Sequence, residues 1–298
     1  MKDENLTGIS VILEISVKVR RRQNSLAKEK KLYKEAMRVL KETSRTFYIP
    51  IKMLDLTLRK TVGSAYLCMR AIDEIEDHEK LDNDMIASIL RQTSDLLKEP
   101  FDEEAYLSLI EPHKELLPEV TIRLGDWIRL IPSGIVETVQ NYTSIMARGM
   151  ADWAEKNWHI KTEEDLDDYT YYVAGLVGEM LSDIWKWYDG TETDLEYAVG
   201  FGRGLQAVNI LRNQEEDLDE RGVNFVPEGW GREQLFDYAR KNLSYVDGYI
   251  KDISNRRIKL FCKIPSELAK RTLAVMESGR EKMTREEVEE TVKELTGE

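Results

Sequence analysis

Residues 65–77 read "AYLCMRAIDEIED", and how this stretch is read decides the fold. At 100° per residue, Tyr66, Arg70, Asp73 and Asp77 fall within an arc of about 60°, so one stripe of a helix carries a phenol, a guanidinium and two carboxylates. Ala65, Leu67, Cys68, Met69, Ala71, Ile72 and Ile75 wrap much of the remaining circumference. A helix that is apolar nearly all round belongs inside a larger structure, and its polar stripe is expected to face an internal cavity. A solvated face held by ion pairs is the competing explanation. Buried charges without partners are costly, however, so the stripe calls for something to bind.

The same arrangement returns at residues 205–217, "LQAVNILRNQEED". Gln206, Asn209, Asn213, Glu216 and Asp217 stack at three- and four-residue spacing, with Arg212 to one side. Two such helices facing each other would surround a pocket with oxygen ligands and arginines. Departure of a diphosphate needs that chemistry. Mg²⁺ takes one or two carboxylates plus substrate phosphates, and arginines clamp the remaining oxygens. Together they stabilise the charge developing on a leaving group. Carboxylates four apart are common in a chain with 56 acidic residues, so the weight rests on two stripes that each join acids to an arginine.

From residue 26 onward the chain reads as successive helices, about 56–79, 84–98, 102–111 and 118–131 among them, punctuated by Pro100, Pro112, Pro118 and Pro132. Thr162 with Asp165, Thr193 with Glu196, and Thr284 with Glu287 have capping-box spacing. "DGTET" at 189–193 separates two long helices that should pair antiparallel. The expectation is one all-α domain over 26–298, a helical bundle with a central pocket, preceded by an extension over 1–25. In that extension "ISVILEISVKV" has apolar residues at every odd position from Ile9 to Val19, a strand-like period of two. It reads as a loosely held extension or lone β-segment, or else as a membrane-surface or partner contact; Glu14, Lys18 and the following "RRR" argue against a secretion signal.

Composition narrows the function. A formal net charge of −13 disfavours nucleic acid and anionic surfaces as partners. Cys68 and Cys262 make no disulfide framework and suit a reducing, cytoplasmic setting, and no stretch approaches the roughly 18 apolar residues of a membrane span. "GFGRG" at 200–204 has the spacing of a dinucleotide loop but no strand before it, so small-residue helix packing is expected there.

The order of five blocks resembles the squalene/phytoene synthase family, the head-to-head branch of the all-helical prenyl-diphosphate synthases. They are "SRTF" at 44–47, "AYLCMRAIDEIED" at 65–77, "YTYYVAGLVGEML" at 169–181, "LQAVNILRNQEED" at 205–217 and "ERGVNFVP" at 220–227. "VAGLVG" and "IPSELAKRTLA" at 264–274 are nearer to squalene synthases than to phytoene synthases. The resemblance implies an isoprenoid-synthase fold and an enzyme acting on prenyl diphosphates with Mg²⁺. It implies metal ligation by Asp73, Asp77, Asn209, Asn213 and Asp217, and diphosphate binding by Ser44, Arg45, Thr46, Arg70, Gln206 and Arg212. Tyr66 and Tyr169 match tyrosines implicated in proton handling or cation stabilisation, and "VAGLVG" matches a helix break that widens the pocket. Without the family, "VAGLVG" reads equally well as close helix packing.

Two positions depart from the pattern: Asn213 stands where the family has Asp, and Ser266 where squalene synthases tend to have Gln. An Asn carbonyl ligates Mg²⁺ without contributing charge, which weakens that site. Three functions follow. The first is ionisation of a farnesyl-type diphosphate and head-to-head condensation with a second, giving presqualene diphosphate, squalene or dehydrosqualene. The second quenches the cation with water or an internal double bond, as a prenyl-diphosphate phosphatase or cyclase. The third is an inactive lipid-binding homologue. Reduction to squalene would require NADPH, for which the sequence carries no separate sign. Lipidic substrates and products imply peripheral contact with a membrane.

Overall fold

The computed structural model describes residues 4–297; the side chains of residues 4–22, 25, 45, 220 and 221 lie outside the described set. Helix α1 (Glu4–Thr43) runs to Ser44, whose hydroxyl accepts the Phe47 N–H at 3.0 Å and caps α2 (Arg45–Met53). The alternation from Ile9 to Val19 is therefore not a strand, because its backbone belongs to α1. A lone strand leaves its N–H and C=O groups without a ladder, whereas a helix satisfies them internally.

Helix α3 (Leu56–Glu76) is central. The Asp55 carboxylate caps it, and Ala65, Leu67, Ala71, Ile72 and Ile75 are all 0% exposed, as the nearly all-round apolar pattern requires. Next come α4 (Asn83–Leu97), α5 (Glu103–Ile110), α6 (Glu119–Ile122), α7 (Leu124–Leu130) and α8 (Val136–Glu155). The single helix expected over about 118–131 breaks at Arg123 (φ −99°, ψ 22°). There the guanidinium reaches Glu35 at 2.6 Å, Glu119 at 2.8 Å and Asp126 at 2.5 Å, tying α1 to both pieces.

The second half holds α9 (Glu163–Thr170), a π-helical turn (Tyr171–Gly175), α10 (Leu176–Asp189) and α11 (Leu195–Arg221). It ends with α12 (Arg232–Leu243), α13 (Tyr245–Lys251), α14 (Arg256–Glu277) and α15 (Arg285–Thr296). No strand occurs among the described residues. Helices α10 and α11 pack antiparallel across the predicted break, where Gly190 takes the left-handed conformation (φ 78°) that ends α10. Core side chains from both halves merge into one continuous cluster.

Thr162 and Thr284 form their capping boxes, but Thr193 does not. Asp194 caps α11 instead, accepting the Glu196 and Tyr197 N–H groups, and Thr193 donates to the Ser182 hydroxyl at 2.8 Å. A carboxylate is the better acceptor at the positive end of a helix. Asp194→Ala should therefore cost about 1 kcal/mol in denaturant titrations, with Glu196→Ala costing far less. Equal losses would mean that the Thr193 box forms in solution.

Candidate active site

Helices α2, α3, α8, α10, α11 and α14 and the π turn enclose a cavity of about 250 Å³. Tyr66, Arg70 and Asp73 border it from α3, and Gln206 and Asn209 from α11. The two polar stripes thus meet at one space, whose remaining wall is apolar.

Within the α3 stripe, Arg70 donates to Asp73 and reaches Glu74 through Nε at 2.9 Å and Nη2 at 2.7 Å. Burial works against this charge, but the two carboxylates outweigh it and hold the guanidinium pKa above its ordinary value. Burial also raises the Tyr66 phenol, opposed by a hydrogen bond with Ser44; the Tyr66 hydroxyl lies 3.3 Å from the Thr43 carbonyl. The Phe47 ring stands 6.0 Å from that of Tyr66, so the "SRTF" block abuts this stripe. Ser44 is occupied as the α2 cap, Thr46 is exposed, and the Arg45 side chain is outside the described residues.

At the C-terminal end of α3, Asp73, Glu76 and Asp77 each offer a carboxylate oxygen, and the three lie within 4.8 Å of one another. Glu76 is 2% exposed. The acid pair at 73 and 77 is thus a trio, and Glu74 beside it pairs with Arg70. Three convergent carboxylate oxygens fit a hard divalent cation. Glu76 was missed because only the four-residue spacing was counted; its i+3 relation to Asp73 on an otherwise buried helix was the available signal.

On α11 the groups are more open. Asn209 and Arg212 are exposed, and Asn213 and Asp217 are half-buried. Asn209 Nδ2 donates to Gln206 Oε1 at 3.4 Å, and Arg212 Nε to Asn213 Oδ1 at 3.0 Å. Asp77, Arg212, Asn213 and Asp217 do not border the cavity. They continue its two polar edges outward, Asp77 and Asn213 each about 6 Å further along their helices. Tyr169 is set apart: it stacks on Phe225 at 4.7 Å, meets Trp153 edge-on at 5.9 Å, and does not border the cavity.

"VAGLVG" both lines the cavity and packs closely against a neighbouring helix. Val173, Ala174, Val177 and Gly178 line the cavity at and beyond the π turn, where one extra residue per turn displaces the backbone. Gly178 also lies against the Ala198 carbonyl, and Gly202 against that of Ala174; a Cβ at either would stand 2.2 Å from the oxygen. "GFGRG" sits inside α11, with Gly200 against the Tyr245 ring and Gly204 against the Leu243 backbone, so it is a packing motif.

The family model for squalene/phytoene synthase matches residues 40–235, a span holding both stripes. The chain belongs to the squalene/phytoene synthase family. Within it, the squalene synthase of Schizosaccharomyces pombe is 30% identical over 271 residues, 80% of this chain and 58% of that protein. The Rattus norvegicus squalene synthase is 30% identical over 268 residues, 81% and 63%. The chain therefore spans about three fifths of the length of these curated family members. A ligand complex of TcSQS superposes with TM-score 0.72 at 22% identity, over 89% of this chain and 85% of that one. A dehydrosqualene synthase in complex with ligand gives 0.57 at 17%, over 91% and 97%. The fold is the all-α isoprenoid-synthase bundle of this family, and among the described residues no helix is long and apolar enough to cross a membrane.

Proposed function

We propose that the chain ionises one farnesyl-type diphosphate and condenses it head-to-head with a second, with Mg²⁺ as its metal. The observation that carries this is an apolar cavity closed at one end by two polar helix stripes, one holding three convergent carboxylates beside an arginine. Asp73, Glu76 and Asp77 on α3, with Asn209, Asn213 and Asp217 on α11, would hold the metal, which when bound supplies Lewis-acid stabilisation of the departing diphosphate.

The chain's own residues do the rest. Arg70, Arg212 and Arg45, with Gln206, Ser44 and Thr46, hold phosphate oxygens. Arg70 is drawn from Asp73 and Glu74 toward the diphosphate as it binds. The C1–O bond breaks with its electron pair leaving on oxygen, and the allylic cation is left among Phe47, Met69, Met146, Phe201 and Leu205. Water excluded by these side chains cannot intercept it, so the double bond of the second chain does. The diphosphate released in the ionisation accepts the proton lost as the cyclopropane of presqualene diphosphate closes. Tyr66 stays protonated at neutral pH and orients its hydroxyl at the cavity wall. Free, buried Cys68 and Cys262 suit a reducing cytoplasmic setting.

One observation favours a second outcome. Asn213 contributes no charge and its carbonyl is engaged by Arg212, so a weak metal site would favour quenching by water or an internal alkene. Incubation with farnesyl diphosphate and Mg²⁺, followed by product analysis, decides. Presqualene diphosphate, or squalene once NADPH is added, supports condensation; farnesol or a cyclic terpene supports the alternative; unchanged substrate removes both. Asn213→Asp should raise the ratio of C30 to C15 products by about tenfold, equivalent to roughly 1.4 kcal/mol between the two barriers. An unchanged ratio would remove Asn213 from the partition.

A further inference from the structure

We propose that the end of the molecule formed by the outer face of α2 and the N-terminal turns of α3 and α14 is a docking surface for an anionic lipid bilayer. In a chain of net charge −13, cations gather here. Lys52 projects from α2, and Arg256, Arg257, Lys259 and Lys263 from α14; among the described residues these five form no ion pair. The nearby acids are mostly engaged. Asp55 caps α3 and accepts the Tyr188 hydroxyl, Asp189 accepts from Asn255 and Thr191, and Glu29 pairs with Lys60, leaving Asp252 as the exposed countercharge. These same bonds join α1, α3, α10 and α14 at one end, where α2 packs along α14.

Aliphatic side chains are interspersed with the cations. Ile49 on α2 is 38% exposed and Leu56 at the start of α3 66%, with Leu26 on the adjoining α1 at 56%, three of the six exposed large hydrophobic residues among the described ones. Cations alternating with exposed aliphatics is the pattern that seats a protein in the headgroup region. The inner faces of the same helices line the cavity, through Phe47 and Ile51 on α2, Val62 on α3, and Phe261 and Pro265 on α14. The carboxylate trio lies at the opposite end of α3, about 30 Å from Leu56. Docking by this end turns the cavity's apolar wall toward the hydrocarbon and leaves the diphosphate end in water. The global charge does not prevent it, since screening confines repulsion to about 8 Å at physiological salt and the local cations make the contact. The purpose assigned to the surface rests on the prenyl-lipid reading above, but its existence is tested without turnover.

The experiment is flotation of the full chain with phosphatidylcholine vesicles, with and without about one-third phosphatidylserine. Each basic side chain near an anionic bilayer favours binding by roughly fivefold. Lys52→Glu/Arg256→Glu/Lys263→Glu should therefore lower phosphatidylserine-dependent binding by at least about a hundredfold, and Ile49→Ser/Leu56→Ser should lower it with less salt dependence. Lys80→Glu/Lys161→Glu, beyond the other end of α3, should bind as the wild type does, and circular dichroism should show all variants equally helical. Failure of the wild type to float, undiminished binding of the triple variant, or binding lost only in the control pair overturns the proposal. So does a face that buries itself in a dimer, seen as a concentration-dependent mass that the triple variant abolishes without vesicles. Conversion of detergent-dispersed substrate by the triple variant, measured in parallel, stays at wild-type level. Its loss in wild type as well would count against the proposed reaction and leave the docking result standing.

Discussion

Replacing Asp73 by Asn should reduce diphosphate release by at least about a thousandfold, with the helical fold intact. Asp73 borders the cavity, belongs to the carboxylate trio and accepts from Arg70, so one substitution touches metal, clamp and pocket together. Removing a single preorganised electrostatic contact from an active site commonly costs ~10²–10³ in rate, and here two such contacts are lost. The amide keeps the shape and Arg70 retains its pair with Glu74, so the helical fold should survive the change. Pyrophosphate release and Mn²⁺ binding by the variant are the measurements. Weakened Mn²⁺ binding alongside lost release fits the ligand role. Undiminished release with normal metal binding would remove Asp73 from the mechanism.

The second large effect concerns packing. Gly202→Ala should destabilise the fold by about 3 kcal/mol or more, whereas Gly63→Ala should stabilise it by up to about 1 kcal/mol. Both glycines are buried in helices, so sequence alone ranks them equally. A Cβ at position 202 would stand 2.2 Å from the Ala174 carbonyl oxygen and 2.9 Å from the Gly175 Cα, backbone that cannot swing aside. At position 63 it would touch the flexible ends of Ile51 and Leu40 at 3.6 Å, an ordinary contact. Displacing α11 from the π turn would also disturb the wall formed by Val173, Ala174 and Val177, so residual Gly202→Ala protein should lose activity before it loses helicity. Thermal melts of the pair decide the matter; equal shifts would mean that the two helices are not in backbone contact.

Much of the site was legible because helical geometry is local. Four residues with a common bearing share a face whatever surrounds them, so Tyr66, Arg70 and Asp73 could be grouped from spacing alone, as could Gln206 and Asn209. Glu76 and Glu74 were passed over in the same quoted block because spacing assigns a direction and not a partner. Glu76 turns toward Asp73 and Asp77 at the last turn of α3, where the helix ends, and Glu74 takes up Arg70. Capping shows the same limit. Thr193 and Asp194 are adjacent acceptors, and the choice fell to Asp194 because Thr193 has a buried partner, Ser182, on a neighbouring helix.

By itself, then, the order of residues determined the all-α class, most helix boundaries, the two polar stripes and the family, since each depends on contacts within one or two turns of chain. Tertiary structure alone decided that both stripes border one cavity and that Asp77, Asn213 and Asp217 lie beyond its edge. It also placed Tyr169 against Phe225 and brought Gly202 of α11 against the π turn. The physical reason is that a bearing around a helix axis says nothing of what stands opposite. That is settled only when side chains distant in sequence compete for the same volume and the same hydrogen-bonding partners.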